Sequence, residues 1–199
     1  MEKSLLETVE SLNESTISVE RKKELQQLVD FIRSQQRASK KIAFNFVCTH
    51  NSRRSQFAQF WATVMGHYFG IEVGCFSGGV EITACNERVI HCLKQQGFEV
   101  QLKPNGDNPI YEIRMKEIVL GNYFSKIYDD KSNPKQDFAA IMVCDHADQN
   151  CPFIPGATAR IPLRYKDPKE FDNSPQEELK YYEKSIEIAT ELKYVFSSL

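Results

Sequence analysis

Residues 41–61 read KIAFNFVCTHNSRRSQFAQFW, and the architecture follows from this stretch. Ile42 to Val47 is an apolar run that suits a buried parallel strand. From about Ser55 the pattern turns helical, with Phe57, Phe60, Trp61, Val64, Met65 and Tyr68 at helical spacing. Between them lies Cys48-Thr49-His50-Asn51-Ser52-Arg53-Arg54-Ser55. A loop joining a strand to a helix presents backbone N–H groups that bind an oxyanion. Those groups, with a nearby arginine, also lower a thiol's pKa. Arg54 adds a planar fork that matches two oxygens of a tetrahedral anion. Ser55 can donate to the Cys48 thiolate, and Asn51 can hold the loop from within. The segment therefore implies nucleophilic attack by Cys48 on phosphate or an anion of the same shape.

Working outward, strands and helices alternate. A second strand is expected over Phe69 to Phe76, ending in Ser77-Gly78-Gly79. Asn86 can cap a helix with Val89, Ile90 and Leu93 inward and Gly97 at its end. Phe138 to Cys144 reads as a further apolar strand. Ser174-Pro175-Gln176-Glu177 has the form of a capping box, opening a helix that runs to Leu199. The pattern predicts an α/β fold with a small parallel sheet flanked by helices. Before it, Leu5, Val9 and Leu12 make one short apolar stripe. Ser18 can cap a second helix with Leu25, Leu28, Val29 and Ile32 on one face, followed by a polar linker, SQQRASKK. Residues 1–39 thus form an N-terminal helical extension and residues 40–199 the catalytic domain. An insertion at about 103–136 interrupts the alternation, with a hairpin expected from Pro109 to Val119 and Gly121 to Tyr128.

Composition narrows the function. A formal charge of −2 carries no nucleic-acid footprint. No apolar run approaches the roughly 20 residues of a membrane span. The opening MEKSLLETVESLNE is acidic and lacks the core of a signal peptide, so a cytoplasmic protein is expected. The six cysteines, Cys48, Cys75, Cys85, Cys92, Cys144 and Cys151, are then expected as thiols rather than structural disulfides. Their spacing suggests no zinc site, and no metal or bound cofactor is expected.

With Cys48, Arg54 and Ser55 in this frame, and VCDHADQNCPFIPG at residues 143–156, the chain resembles the low-molecular-weight protein tyrosine phosphatase superfamily. It resembles more closely the thioredoxin-coupled arsenate reductases of that group. The likeness runs from Ile42 to about Val100 and from Phe138 onward. The resemblance implies a relay: Cys48 attacks arsenate, Cys144 attacks Cys48 and releases arsenite, and Cys151 takes Cys144 into a disulfide for an external thioredoxin-like reductant. It also implies Asp167, in Asp167-Pro168, as the general acid, with Asp172 the runner-up. The alternative it leaves is a phosphatase hydrolysing phosphomonoesters through a Cys48 phosphoenzyme. Against the alternative, the positions of the aromatic walls that hold a phosphotyrosine ring fall at Thr83 and Lys169.

Three departures stand out. His50 replaces the usual Gly of the loop, Arg53 adds a positive charge beside Arg54, and Gln59 replaces the Glu of a potassium site whose other members match Asn51 and Ser77. One feature of the relay follows from geometry alone. Seven residues of helix separate two Cα atoms by about 10.5 Å along the axis. A disulfide needs them within roughly 7 Å. Cys144 and Cys151 therefore join only if the segment between them abandons a helical form. Asp145, Asp148 and Asn150 are poor helix formers, as such a change requires.

Overall fold

A computed structural model describes residues 5–150 and 153–199. Four parallel strands, β1 (Ile42–Cys48), β2 (Val73–Gly79), β6 (Phe138–Met142) and β7 (Ala157–Pro162), form the main sheet in the order β2-β1-β6-β7. β1 lies in the middle: Phe44 sits opposite Cys75 on one side and Ala139 on the other. Its flanks are covered by helices, which is why β1 and β6 are buried along almost their whole length. Helix α3 (Arg54–Phe69) packs on β1, β2 and the long helix α6 (Glu177–Ser197). Phe60, Trp61 and Phe98 meet edge to face, with ring centroids 4.6–5.9 Å apart.

The N-terminal segment folds as α1 (Leu5–Ser11) and α2 (Val19–Arg37). Ser18 caps α2 as expected, accepting from the Arg21 N–H at 3.1 Å. Leu25, Leu28, Val29 and Ile32 are all buried, and α2 packs on β1, β7 and α6. The expected polar linker begins too early, because α2 continues through Ser34 to Arg37.

Elsewhere the boundaries move. Phe69 ends α3 rather than starting a strand, since Gly70 closes the helix in the left-handed region at φ 66° and β2 starts at Val73. The insertion is a three-stranded antiparallel sheet, not a lone hairpin: β3 (Glu99–Lys103), β4 (Ile110–Met115) and β5 (Ile118–Tyr123). Its tight turn is Lys116-Glu117, between the paired Met115 and Ile118, with Lys116 at φ 52°. The predicted break at Leu120 instead lies inside β5. Between β2 and β3 runs α4 (Glu87–Gln95), capped by Asn86 as expected. The capping box does not form at Ser174. Glu177 accepts instead from the Asn173 N–H and pairs with Arg88 at 2.7 Å, so α6 starts with Glu177 and not at Pro175. No helix among the described residues is long and apolar enough to cross a membrane.

Candidate active site

The C-terminal end of β1 delivers Cys48 into a loop that turns back into α3, as the sequence predicts. Asn51 sits at the turn with φ 47°, a conformation an Asx side chain tolerates. Its amide nitrogen donates to Ser55 Oγ and Ser77 Oγ, both at 2.8 Å. Its Oδ1 accepts from the Lys126 N–H at 3.0 Å. Ser52 Oγ donates to the Ala84 carbonyl and Ser125 Oγ to that of His50. Gln56, buried in the first turn of α3, donates to the Asn51 and Phe124 carbonyls. β2 closes on the same loop. A Cβ on Gly79 would lie 2.8 Å from both the Asn51 nitrogen and the Thr49 oxygen, so only glycine fits there.

Cys48 is buried at the base, 3.0 Å from Ser55 Oγ and accepting from the Asn51 N–H at 3.1 Å. Burial pushes its thiol above the ordinary value, while Ser55 and Arg54 pull it back and neighbouring Cys144 adds to the rise. This corrects the expectation of a lowered thiol. The reason is burial, which outweighs both; Arg54 itself is held by two partners, with one terminal nitrogen on the Tyr165 carbonyl at 3.1 Å and the other 2.6 Å from Asp167 Oδ2. Arg54 Nε is buried and has no hydrogen-bond partner. An anion entering the loop would supply that partner.

Asp167 stands at the mouth, one-third exposed, with Oδ1 accepting from the Lys169 N–H. Asp172 is occupied elsewhere, with its two oxygens on Arg53 at 2.9 Å and the Tyr181 hydroxyl at 2.7 Å. Arg53 also donates to Tyr181 at 2.6 Å, so its charge is neutralised by Asp172 and does not add to that of Arg54. His50 takes the glycine position without a left-handed backbone; its ring lies 3.3 Å from Glu81. Gln59 Oε1 accepts from Ser77 Oγ at 2.6 Å, which in turn accepts from Asn51. These three neutral groups satisfy one another.

Cys144 follows β6 after Val143 and is buried, its sulfur 3.5 Å from Thr49 Oγ1. The structure thus brings the second cysteine to the wall of the Cys48 loop. Helix α5 (Asp145–Asn150) begins at the next residue, and Cys151 lies outside the described residues. Asp148 fastens α5 to the β7 side: Arg160 lies 2.6 Å from its Oδ1 and Arg164 3.0 Å from its Oδ2. Cys75, Cys85 and Cys92 are pushed to about 12 by burial, consistent with thiols that take no part in the chemistry.

The loop opens into a cleft of 510 Å³ lined by His50, Arg53, Thr83, Lys169 and, from the insertion, Asp107 and Tyr111. Sequence reasoning missed Tyr111, Ser125, Lys126 and Tyr165. Gln56 alone left a signal, a polar residue at the start of an otherwise apolar helix.

A thiol at the base of a strand–loop–helix turn, on a four-stranded parallel sheet, defines the fold of the low-molecular-weight protein tyrosine phosphatases. Such an enzyme from T. tengcongensis superposes with a TM-score of 0.55 over 80% of this chain and 100% of its own, at 14% identity. In sequence the chain is similar to proteins named arsenate reductase. It is 27% identical over 123 residues to arsenate reductase 2 of Staphylococcus epidermidis, covering 62% of this chain and 76% of that one. With the arsenate reductase of Halalkalibacterium halodurans it shares 25% over 139 residues, or 70% and 82% of the two chains. No family model matches.

Proposed function

We propose that the chain is an arsenate reductase. The observation that carries this reading is Cys144, a second buried thiol set against the loop that holds Cys48. A hydrolase has no use for it. Arsenate fills the loop, bound by the N–H groups of residues 49–54 and by Arg54, whose orphaned Nε gains an acceptor. Cys48 loses its proton and attacks arsenic; an As–S bond forms and an As–O bond breaks, with Asp167 protonating the departing oxygen. Cys144 then attacks the Cys48 sulfur. The S–S bond forms, the As–S bond breaks, and its electron pair stays on arsenic as arsenite. Two thiols have supplied the two electrons. Cys151 next displaces Cys48 from Cys144, and an external thioredoxin-type thiol reduces the resulting disulfide. The relatives' names support arsenate as the substrate, and the order of events rests on the sequence motif alone.

The test is NADPH oxidation dependent on arsenate, with a reconstituted thioredoxin system. Steady oxidation that stops in Cys144→Ser is the expected result. No arsenate-dependent oxidation with any dithiol donor would overturn the reading.

One observation favours a second reading, phosphomonoester hydrolysis. Thr83 and Lys169 provide no aromatic wall, but Tyr111 lines the same cleft, whose 510 Å³ lies in the range that holds organic ligands. Hydrolysis of p-nitrophenyl phosphate that survives Cys144→Ser and falls with Tyr111→Ala would support it.

A further inference from the structure

We infer that the N-terminal helix α2 is part of the catalytic apparatus, through Arg21 acting as a positioning residue for Arg54. The inference rests on the oxyanion-loop reading of residues 48–55 and gives the extension a role in it.

Arg21 lies in the first turn of α2 and reaches α6. Its Nε is 2.7 Å from Glu191 Oε1, and a terminal nitrogen is 2.9 Å from Oε2, a bidentate pair. The same terminal nitrogen donates to the Arg164 carbonyl at 3.2 Å. The guanidinium also lies over the Tyr165 ring, 4.8 Å from its centroid. Tyr165 is fixed from its other end as well, its hydroxyl donating to Glu191 Oε2 at 2.7 Å. Glu191 and Tyr165 are both 5% exposed.

Residues 164–165 are therefore held by backbone, ring and hydroxyl against one arginine–glutamate pair. Their position matters because the Tyr165 carbonyl is the acceptor for Arg54 at 3.1 Å. Asp167, the other partner of Arg54, is only two residues further on. Arg21 thus sets the strip of chain that aims the oxyanion arginine and carries the acid. Lysine cannot replace it, because an ammonium lacks the planar fork and the stacking face.

The test reads oxyanion affinity without requiring turnover. Alkylation of Cys48 by iodoacetamide is followed by peptide mass, and the phosphate concentration that protects it is measured. Arg21→Lys should raise that concentration roughly tenfold, the size of a charge-assisted hydrogen bond lost at the site. Leu28→Ala, a buried position on the same helix, should lower the melting temperature and leave phosphate protection unchanged. If Arg21→Lys does not fold, the pair Arg21→Met with Glu191→Met, made in a Tyr165→Phe background so that no buried hydroxyl loses its acceptor, removes both charges together and leaves neither orphaned. That double variant should fold and show the same weakened protection. Native protection in Arg21→Lys or in the double variant overturns the inference, as does equal weakening in Leu28→Ala. If phosphate fails to protect even the unaltered protein, the oxyanion-loop reading falls and the inference falls with it.

Discussion

The loop from Cys48 to Ser55 and the segment after Cys144 each present a thiol to the same space, but they are held in opposite ways. The loop is tied from within. Asn51 alone bridges Ser55, Ser77 and Lys126, and Gly79 presses on its backbone. Helix α5 has only six residues and is tied from outside, by Arg160 and Arg164 on Asp148. Internal ties among buried neutral groups give a fixed geometry, which oxyanion binding needs. Ion pairs whose arginine ends reach solvent are easier to break, which suits a segment that the proposed relay requires to change shape.

The sharpest way to test the fixed half is to remove its reacting groups. Cys48→Ser should abolish arsenate reduction and any phosphatase activity, since a hydroxyl here has no activating base. Arg54→Lys should cost on the order of 10²-fold in kcat/KM. Near-normal kinetics in either would mean the loop is assigned wrongly.

The movable half should respond differently. Cys144→Ser and Cys151→Ser should each stop repeated arsenate reduction with thioredoxin and leave p-nitrophenyl phosphate hydrolysis running, since hydrolysis of a Cys48 phosphoenzyme needs only water and Asp167. Loss of both activities together would make the two cysteines structural.

Helix α5 was anticipated only as a segment that must abandon a helical form, and the structure shows residues 145–150 helical. Oxidation to the Cys144–Cys151 disulfide should then speed hydrogen exchange in peptides covering residues 143–153 and leave residues 48–55 unchanged. Asp148→Asn should loosen reduced α5 in the same direction, by roughly tenfold for the loss of charge-assisted bonds. Equal exchange in reduced, oxidised and Asp148→Asn protein would remove the contrast between the two regions.

The smallest effect concerns pH. Burial raises the Cys48 thiol and Arg54 lowers it, but Arg54 is shared with Asp167. The reactive form is the thiolate, so alkylation should accelerate as pH rises, with a midpoint above that of an ordinary thiol. Asp167→Asn frees Arg54 and should move the midpoint down. An upward or absent shift would show that Arg54 does not govern the thiol.

What the sequence revealed follows from how each feature is encoded. Cys48, Ser55 and the β1–α3 turn are local, set by one apolar run and one helical period. Ser18 and Asn86 announce their helices for the same reason. The edge strand β7, ATARIP, alternates and half faces solvent, so it carries no continuous apolar signal. β3, EVQLK, is mostly exposed and equally quiet. Residues that act through the backbone were invisible: the carbonyl of Tyr165 and the N–H of Lys126 would be present whatever their side chains. The pairing of Arg53 with Asp172 is long-range, and an added positive charge was the natural reading until α6 placed Tyr181 between them.

That dependence on α6 has a consequence for synthesis. The loop leaves the ribosome well before Tyr181 and Glu191, yet Tyr181 fixes Arg53, and Glu191 fixes Arg21 and Tyr165. A nascent chain that has emerged only through β7 already carries Cys48 and Cys144 but lacks the groups that anchor the arginines around them. Only when residues 177–197 dock are Arg53, Arg21 and Tyr165 all anchored, so the last helix in the chain is the one that completes the frame around the first strand's loop.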